Sequence, residues 1–346
     1  MIYDIEFFPA KKLDVLKEQW EILENGPEMT LFQSFCWYQM LADCYIPDDC
    51  SHFISLFALV RRDGIPVLIA PLWIVKHTFR FMNKKGVYLL GRDSYGDYLN
   101  VIYNVFDGMA FDSLIKNIKS KYRVDNFQFE QLMESSSTYH HIVHSGYHVI
   151  EDRSEPCASL TLPQSQEEYQ KMLSKNSRQN IRTANNRLAK DGKTLVFNFD
   201  DEETDRSSCM EIRESKLAVK FAKVSALRKY KYRLVNRLLF HFPRFAPLQV
   251  YKGSKIMTAK DQNGHLRAFF CYGYDTQNKC VRVMSAGTDL EYARYSPGIL
   301  LMYDFISKAI ADGQIRVIDF TRGDEKYKFA LGSVLCNNHI VSFRKQ

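Results

Sequence analysis

The chain has 346 residues, 46% of them hydrophobic and 25% charged, a composition that excludes a disordered or collagen-like chain and fits a soluble globular one. Its 47 Lys and Arg stand against 40 Asp and Glu, for a formal charge of +7; this excess suits an anionic ligand but does not by itself imply nucleic acid. The length is too great for one compact core and predicts two domains, 1–155 and 156–346.

The opening stretch, Met1 to Pro9, carries an early acid and no basic n-region, so no signal peptide is expected. The longest apolar run, Ile65 to Val75, is too short to span a bilayer. Together these give the expectation of a cytoplasmic protein. The 8 cysteines show no CysXXCys spacing and no His pair at ligand spacing, so they are expected to be reduced, mostly buried small hydrophobes rather than a zinc site.

Along the chain, residues 11–24 place Leu13, Leu16, Trp20 and Leu23 on one helical face, and Asn25, Gly26 and Pro27 stop it. An aromatic-rich helix follows over Ser34 to Tyr45. Phe53 to Val60 and Ile65 to Val75 flank Asp63-Gly64, the signature of a tight β-hairpin. Gly86 to Leu90 reads as a further strand, and Arg92 to Tyr98 as a polar loop, either a plain turn or a cleft wall offering Asp97. Residues 108–122 form an amphipathic helix, Asn126 to Leu132 a strand and Ser137 to Ser145 a short helix. His140, His141, His144 and His148 cluster there, but no acid accompanies them as a His-Glu-X-X-His site requires, so a solvated helix end is expected and no metal. Residues 151–163 read as the strand and crossing between the halves.

In the second half, residues 175–190 repeat apolar Ile181, Ala184 and Leu188 at helical spacing. Arg178 and Arg182 lie about 40° apart on an adjoining flank. They could clamp a phosphate or carboxylate, or belong to a solvated basic face. Lys193 to Phe199 is a strand, and Asp200 to Asp205 an acidic lead into helices running to about Phe242. The basic stretch 216–237 reads either as an RNA-facing arm or as an exposed amphipathic helix pair. Strands are expected over Val250–Lys255, Ile256–Asp261, Leu266–Tyr274 and Cys280–Gly287. Next, Ser296 can cap a helix, Pro297 suits its first position and Gly298 permits close backbone approach, which makes a candidate anion site, although such turns also open purely structural helices. Ile299, Leu300, Met302, Phe305, Ile306, Ala309 and Ile310 form the apolar stripe, Gly313 ends the helix, and Ile315 to Phe320 is a buried strand.

Three separated motifs occur in order: Ser174 to Leu188 (SerLysAsnSerArgGlnAsnIleArgThrAlaAsnAsnArgLeu), Tyr295-Ser296-Pro297-Gly298, and Asp319 to Lys328 (AspPheThrArgGlyAspGluLysTyrLys). With them, Leu160 to Phe343 resembles the CelD-like branch of the GNAT acyltransferase superfamily, related to Fem-type tandem proteins. It departs from the better-known GNAT turn with two spaced glycines, since only Gly298 stands there. The resemblance implies an α/β (α+β) protein of two tandem GNAT-like domains, each a mixed, largely antiparallel sheet flanked by helices, with the donor site in the second. It implies acetyl-CoA or another acyl-CoA lying beside the strand Val281–Gly287, at Ser285, with its pyrophosphate at Tyr295, Ser296, Pro297, Gly298 and Ile299. Asp319 and Tyr327 become the candidate base and acid, and Asp97, Arg178, Arg182, Arg322, Asp324 and Lys328 the acceptor side. The expected acceptor is a small-molecule or saccharide amine, such as an amino sugar of a cell-surface polysaccharide. Two other readings stay open: a Fem-type aminoacyltransferase using aminoacyl-tRNA, and a non-catalytic binding protein on a GNAT scaffold.

Overall fold

The computed structural model describes residues 2–44, 53–76, 85–91, 96–222 and 253–345. By their internal contacts they divide into two units, Met1–Cys157 with Cys336–Gln346, and Ala158–Leu335. The first unit therefore includes the closing segment, which the sequence alone assigns to the second domain.

In the first unit, strands β1 (Tyr3–Pro9), β2 (Phe53–Arg62), β3 (Ile65–Val75) and β4 (Gly86–Leu89) form an antiparallel meander. The β2–β3 turn is the expected hairpin: Asp63 and Gly64 both take positive φ, +50° and +85°, as a two-residue turn matched to strand twist requires. Strand β5 (Phe127–Met133) then runs parallel to β4, and β12 (Val334–Lys345) lies antiparallel beside β5 over Asn338–Phe343. The expected helix at 11–24 is a 3-10 segment, Ala10–Leu16, kinked at Lys12, followed by α1 (Lys17–Leu23). Its face nevertheless buries Leu13, Leu16, Trp20 and Leu23, so the pattern sets the inward side even where the backbone winds more tightly. Helices α2 (Phe35–Cys44), α3 (Gly108–Tyr122) and α4 (Ser137–His144) complete the unit. Strands β1 and β12 are not among the expected elements, although Tyr3 to Phe7 alternate apolar and acidic residues ahead of Pro9.

Strand β6 (Tyr147–Thr161) leads to the second unit. There α5 (Gln166–Met172) and α6 (Lys175–Lys190) precede β7 (Leu195–Asn198), α7 (Arg206–Ala222), β8 (Ser254–Asp261), β9 (Leu266–Asp275) and β10 (Cys280–Thr288). A 3-10 turn at Leu290–Tyr295 leads to α8 (Pro297–Asp312), β11 (Val317–Arg322) and the single turn α9 (Lys326–Ala330). Strands β7 to β10 are again an antiparallel meander, and β11 again runs parallel to the fourth of them. Both units thus repeat one order: four antiparallel strands, a helix, and a fifth strand parallel to the fourth. Of the two strands expected over Val250–Asp261, the described part is the single strand β8, whose Ser254 to Lys260 pair with β9 with a register shift between Ala259 and Lys260; residues 250–252, and the helical arm expected from 223 to 242, lie outside the described residues.

The second unit's core explains why α8 forms where it does. Leu300, Leu301, Met302, Phe305, Ile306 and Ala309 are buried in one cluster with Met257, Ala259, Ala268, Phe270 and Tyr272 from β8 and β9. Burying each such Leu or Phe side chain contributes about 2 kcal/mol. Gly313, at φ +66°, ends the helix in the left-handed conformation that favours glycine.

Candidate functional site

Strands β10 and β11 share a short ladder. Their pairing runs Cys280↔Val317, Val281↔Ile318 and Arg282↔Asp319, and stops, although β10 continues to Thr288 and β11 to Arg322. Two local features accompany the parting. The pairing of β10 with β9 shifts register between Val283 and Ser285, a bulge that bends the strand. On β11, Thr321 takes φ +55°, an unusual conformation for a β-branched residue. Its hydroxyl donates to the Val283 carbonyl at 2.9 Å, and its N–H to Asp319 Oδ1 at 2.7 Å.

The last rung is ionic and buried. Arg282, 7% exposed, donates to Asp319 Oδ2 from Nη1 and to Asp275 Oδ2 from Nε at 3.2 Å; Asp319 and Asp275 are 5% and 6% exposed. In Asp319, the expected base, the Arg282 guanidinium binds one oxygen and the Thr321 N–H the other, so the carboxylate is part of a buried ion pair. A strand position carrying Arg between Val281 and Val283 is a sequence signal of a buried ion pair, but Asp275 and Asp319 lie too far along the chain to be picked as its partners.

Tyr327 sits differently. Its ring, half-buried on α9, approaches Phe270 of β9 at 6.4 Å and Phe320 of β11 at 6.3 Å, so it lies beside the parting strands. Burial, and then the nearby Glu325 carboxylate, push its phenol well above the ordinary tyrosine value. It is a proton donor rather than a base at neutral pH.

The helix following β10 begins without a side-chain cap. Ser296 occupies the N-cap position at φ +49°, left-handed, and its hydroxyl makes no cap bond. This corrects the expectation that Ser296 caps α8. Its carbonyl instead receives the N–H groups of Ile299 at 3.0 Å and Leu300 at 3.1 Å. Pro297 has no N–H, and the N–H of buried Gly298 donates to no described residue. The first N–H groups of a helix have no intrahelical acceptor, and here no side chain of the described residues caps this one. Gly298 also lets the helix approach the end of β10: a Cβ there would lie 2.9 Å from Thr288 Oγ1.

The turn before α8 is held from below. Tyr295 is buried and its hydroxyl donates to Asp191 Oδ2 at 2.6 Å, at the C-cap of α6, so its side chain is tied into the fold. Arg267 grips Asp261 through Nε and Nη2, at 2.9 and 2.8 Å, and also binds Asp289, the cap of the 3-10 turn. Burial pushes the Asp261 carboxyl up, but Arg267 and the N–H groups of Asn263 and His265 outweigh it and hold it at about 2.

The remaining expected residues divide. Ser285 lies on β10 just past the bulge and accepts from Arg213 of α7 at 2.9 Å. Arg178 is tied to the fold through Nη1, which donates to the carbonyls of Gln170 and Leu173 at 2.8 and 2.5 Å, at the end of α5. Arg182, one turn on, is exposed and pairs with no described residue. Lys328 is buried in backbone carbonyls, which corrects its expected role in neutralising a substrate. Arg322 is half-buried at the end of β11 and Asp324 exposed in the turn beyond it. Asp97 belongs to the first unit.

The first unit has the corresponding strand, helix and strand, with a different helix entry. The α3 N-cap is Asp107, whose Oδ1 accepts from the N–H groups of Met109 and Ala110 at 3.1 and 3.0 Å. Arg62 pairs with the same carboxylate at 2.9 Å, and His141 pairs with Asp112 at 3.0 Å. These groups line a cleft of about 580 Å³ in that unit, and its helix end already holds an anion of its own. His140 and His144 stack on each other at 5.9 Å, and among the described residues no group of three or more His, Cys, Asp or Glu is arranged to hold a metal.

In the second unit the fourth and fifth strands thus end their ladder early beside an uncapped helix entry. Residues 175–329 match the model of an acetyltransferase (GNAT) domain family, and this segment is a GNAT domain. Among solved structures the chain is similar to FemX, with TM-score 0.58 and 10% identity over 98% of this chain and 96% of that one. It is also similar to a tandem GNAT protein from the clavulanic acid biosynthesis pathway, with TM-score 0.52 and 11% identity over 99% and 98%. A third is a conserved protein of unknown function from Bacteroides thetaiotaomicron, with TM-score 0.56 and 12% identity over 99% and 100%. These likenesses establish the tandem GNAT fold. No curated protein matches the sequence.

Proposed function

We propose that the protein is an N-acyltransferase that moves an acyl group from acyl-CoA to an amine, with the donor held by the second unit. The observation that carries this reading is the unpartnered N–H of Gly298 at the mouth of α8, beside a β10–β11 ladder that ends at Arg282↔Asp319. A helix entry whose first N–H groups have no acceptor favours a diphosphate, and a ladder that ends early leaves strand amides able to polarise a thioester carbonyl. Asp107 supplies the contrast: the first unit's helix entry is sealed by its own carboxylate and is unsuited to a second anion.

In the transfer, the amine nitrogen forms a bond to the acyl carbon as the carbon–sulfur bond breaks. Tyr327 gives its phenolic proton to the departing thiolate and regains one from the ammonium formed on attack. Its raised pKa keeps the phenol protonated at neutral pH, so the hydroxyl is present as a donor. Arg182, exposed on α6, is the cation offered to the acceptor, and a small-molecule or saccharide amine bearing an anionic group fits it best.

Calorimetric titration of the full chain with acetyl-CoA, longer acyl-CoAs and an aminoacyl-tRNA tests the donor. Saturable binding of an acyl-CoA is expected. Binding of the aminoacyl-tRNA alone would transfer the reading to the Fem-type reaction, and no response to any donor would overturn acyl transfer.

A further inference from the structure

On the reading of the second unit as the acyl-transfer domain, we infer that Lys328 is a positioning residue that gathers the turn after β11 and so fixes Tyr327 beside the parting strands. Lys328 is 2% exposed. Its ammonium donates to the carbonyls of Arg322 at 2.6 Å, Gly323 at 3.1 Å and Thr321 at 3.4 Å, and pairs with Glu325 Oε2 at 2.9 Å. Burying an ammonium is costly unless each N–H finds an acceptor and an anion stands close. Both conditions are met here.

The three carbonyls belong to the residues that follow the last β10–β11 rung, Arg282↔Asp319. Where the ladder stops, these acceptors lose β10 as a source of donors, and Lys328 supplies donors in its place. Thr321 at φ +55° and Gly323 at φ +101° turn the backbone so that the carbonyls converge on one point. The next residue back along the chain is Tyr327, set against Phe270 and Phe320. In a helix of five residues with no side-chain cap bond, the buried ammonium is the tie that decides where the adjacent phenol stands.

The test places 3-fluorotyrosine at position 327 of the full chain and follows its fluorine NMR line. In Lys328→Met, which retains no donors, the line is expected to move toward its unfolded position or to split while circular dichroism and cooperative unfolding persist. Lys326→Met, at an exposed neighbour, should leave it in place. If Lys328→Met does not fold, Lys328→Gln, with two donors and no charge, is read in the same way. With an amine that supports turnover, the folded variant should lose about tenfold in kcat with donor KM within about twofold. A line that superposes on the parent's in a folded variant overturns the inference. Adding acetyl-CoA to the labelled parent separates the two ideas: an unmoved line there counts against the donor site alone, and the Lys328 comparison still decides the positioning role.

Discussion

Arg282 and Asp319 face each other on the last rung that β10 and β11 share, and their buried ion pair marks the point where the strands separate. Asp275 closes the same guanidinium from β9. Removing one member of a buried charge network leaves the others uncompensated, at a cost of about 3–5 kcal/mol. Asp319→Asn should therefore lower the urea unfolding midpoint severely, and chain that remains folded should keep the pH dependence of its turnover. A stable Asp319→Asn variant whose activity has lost its acidic limb would restore Asp319 as the base.

Tyr327 predicts the opposite pattern. Tyr327→Phe keeps the ring between Phe270 and Phe320 and removes only the hydroxyl, so stability should stay within about 0.5 kcal/mol. Loss of a general acid should lower kcat about a hundredfold with donor binding unchanged. Stopped turnover and calorimetric titration of the same variant check the two halves of this statement.

The two arginines of α6 should separate. Arg178→Ala removes the donors that close α5 and should cost about 1 kcal/mol of stability, seen as a lower unfolding midpoint. Arg182→Ala should leave stability unchanged and raise the KM of an anionic amine about tenfold, with the donor KM unaffected. Equal effects of Arg182→Ala on both substrates would remove it from the acceptor side.

Acid should loosen the second unit in a defined window. Asp261 is held at about 2, below its ordinary value of 3.8; at Asp201 burial again opposes, but Lys260, Thr258 and Thr204 prevail and give about 2. A folded-state pKa below the unfolded one contributes stability that is complete above the unfolded value and is lost as pH falls through the folded one. The contribution of both carboxylates should stay level from pH 7 to about 5 and decline from about 4 to 2. Asp261→Asn should unfold at lower temperature at pH 7 and show a shallower fall of Tm below pH 4.

These contrasts show how far the sequence could be read. Periodicity found α8, α6 and α3, because each depends on an apolar stripe recorded every three or four residues. The Asp63-Gly64 turn was legible for a similarly local reason. The motif Asp319 to Lys328 was visible as a string, but its division of labour was not. Asp319 is neutralised by an arginine 37 positions away, and Lys328 faces carbonyls that converge only because Thr321 and Gly323 take positive φ. Ser296 reads as a cap by residue type, and the left-handed backbone beneath it prevents that bond. Strand β12 was missed because its place depends on β5, about 200 residues away.

The most direct measurement follows the amide resonance of Gly298 in the 15N-labelled chain as acetyl-CoA is added. If α8 receives the donor's diphosphate, that resonance moves downfield as the N–H gains a charged acceptor, and it saturates with the calorimetric isotherm, while the Met109 and Ala110 amides under Asp107 stay fixed. A Gly298 resonance that does not move when acetyl-CoA saturates the protein, or the absence of acyl-CoA binding altogether, would contradict the account.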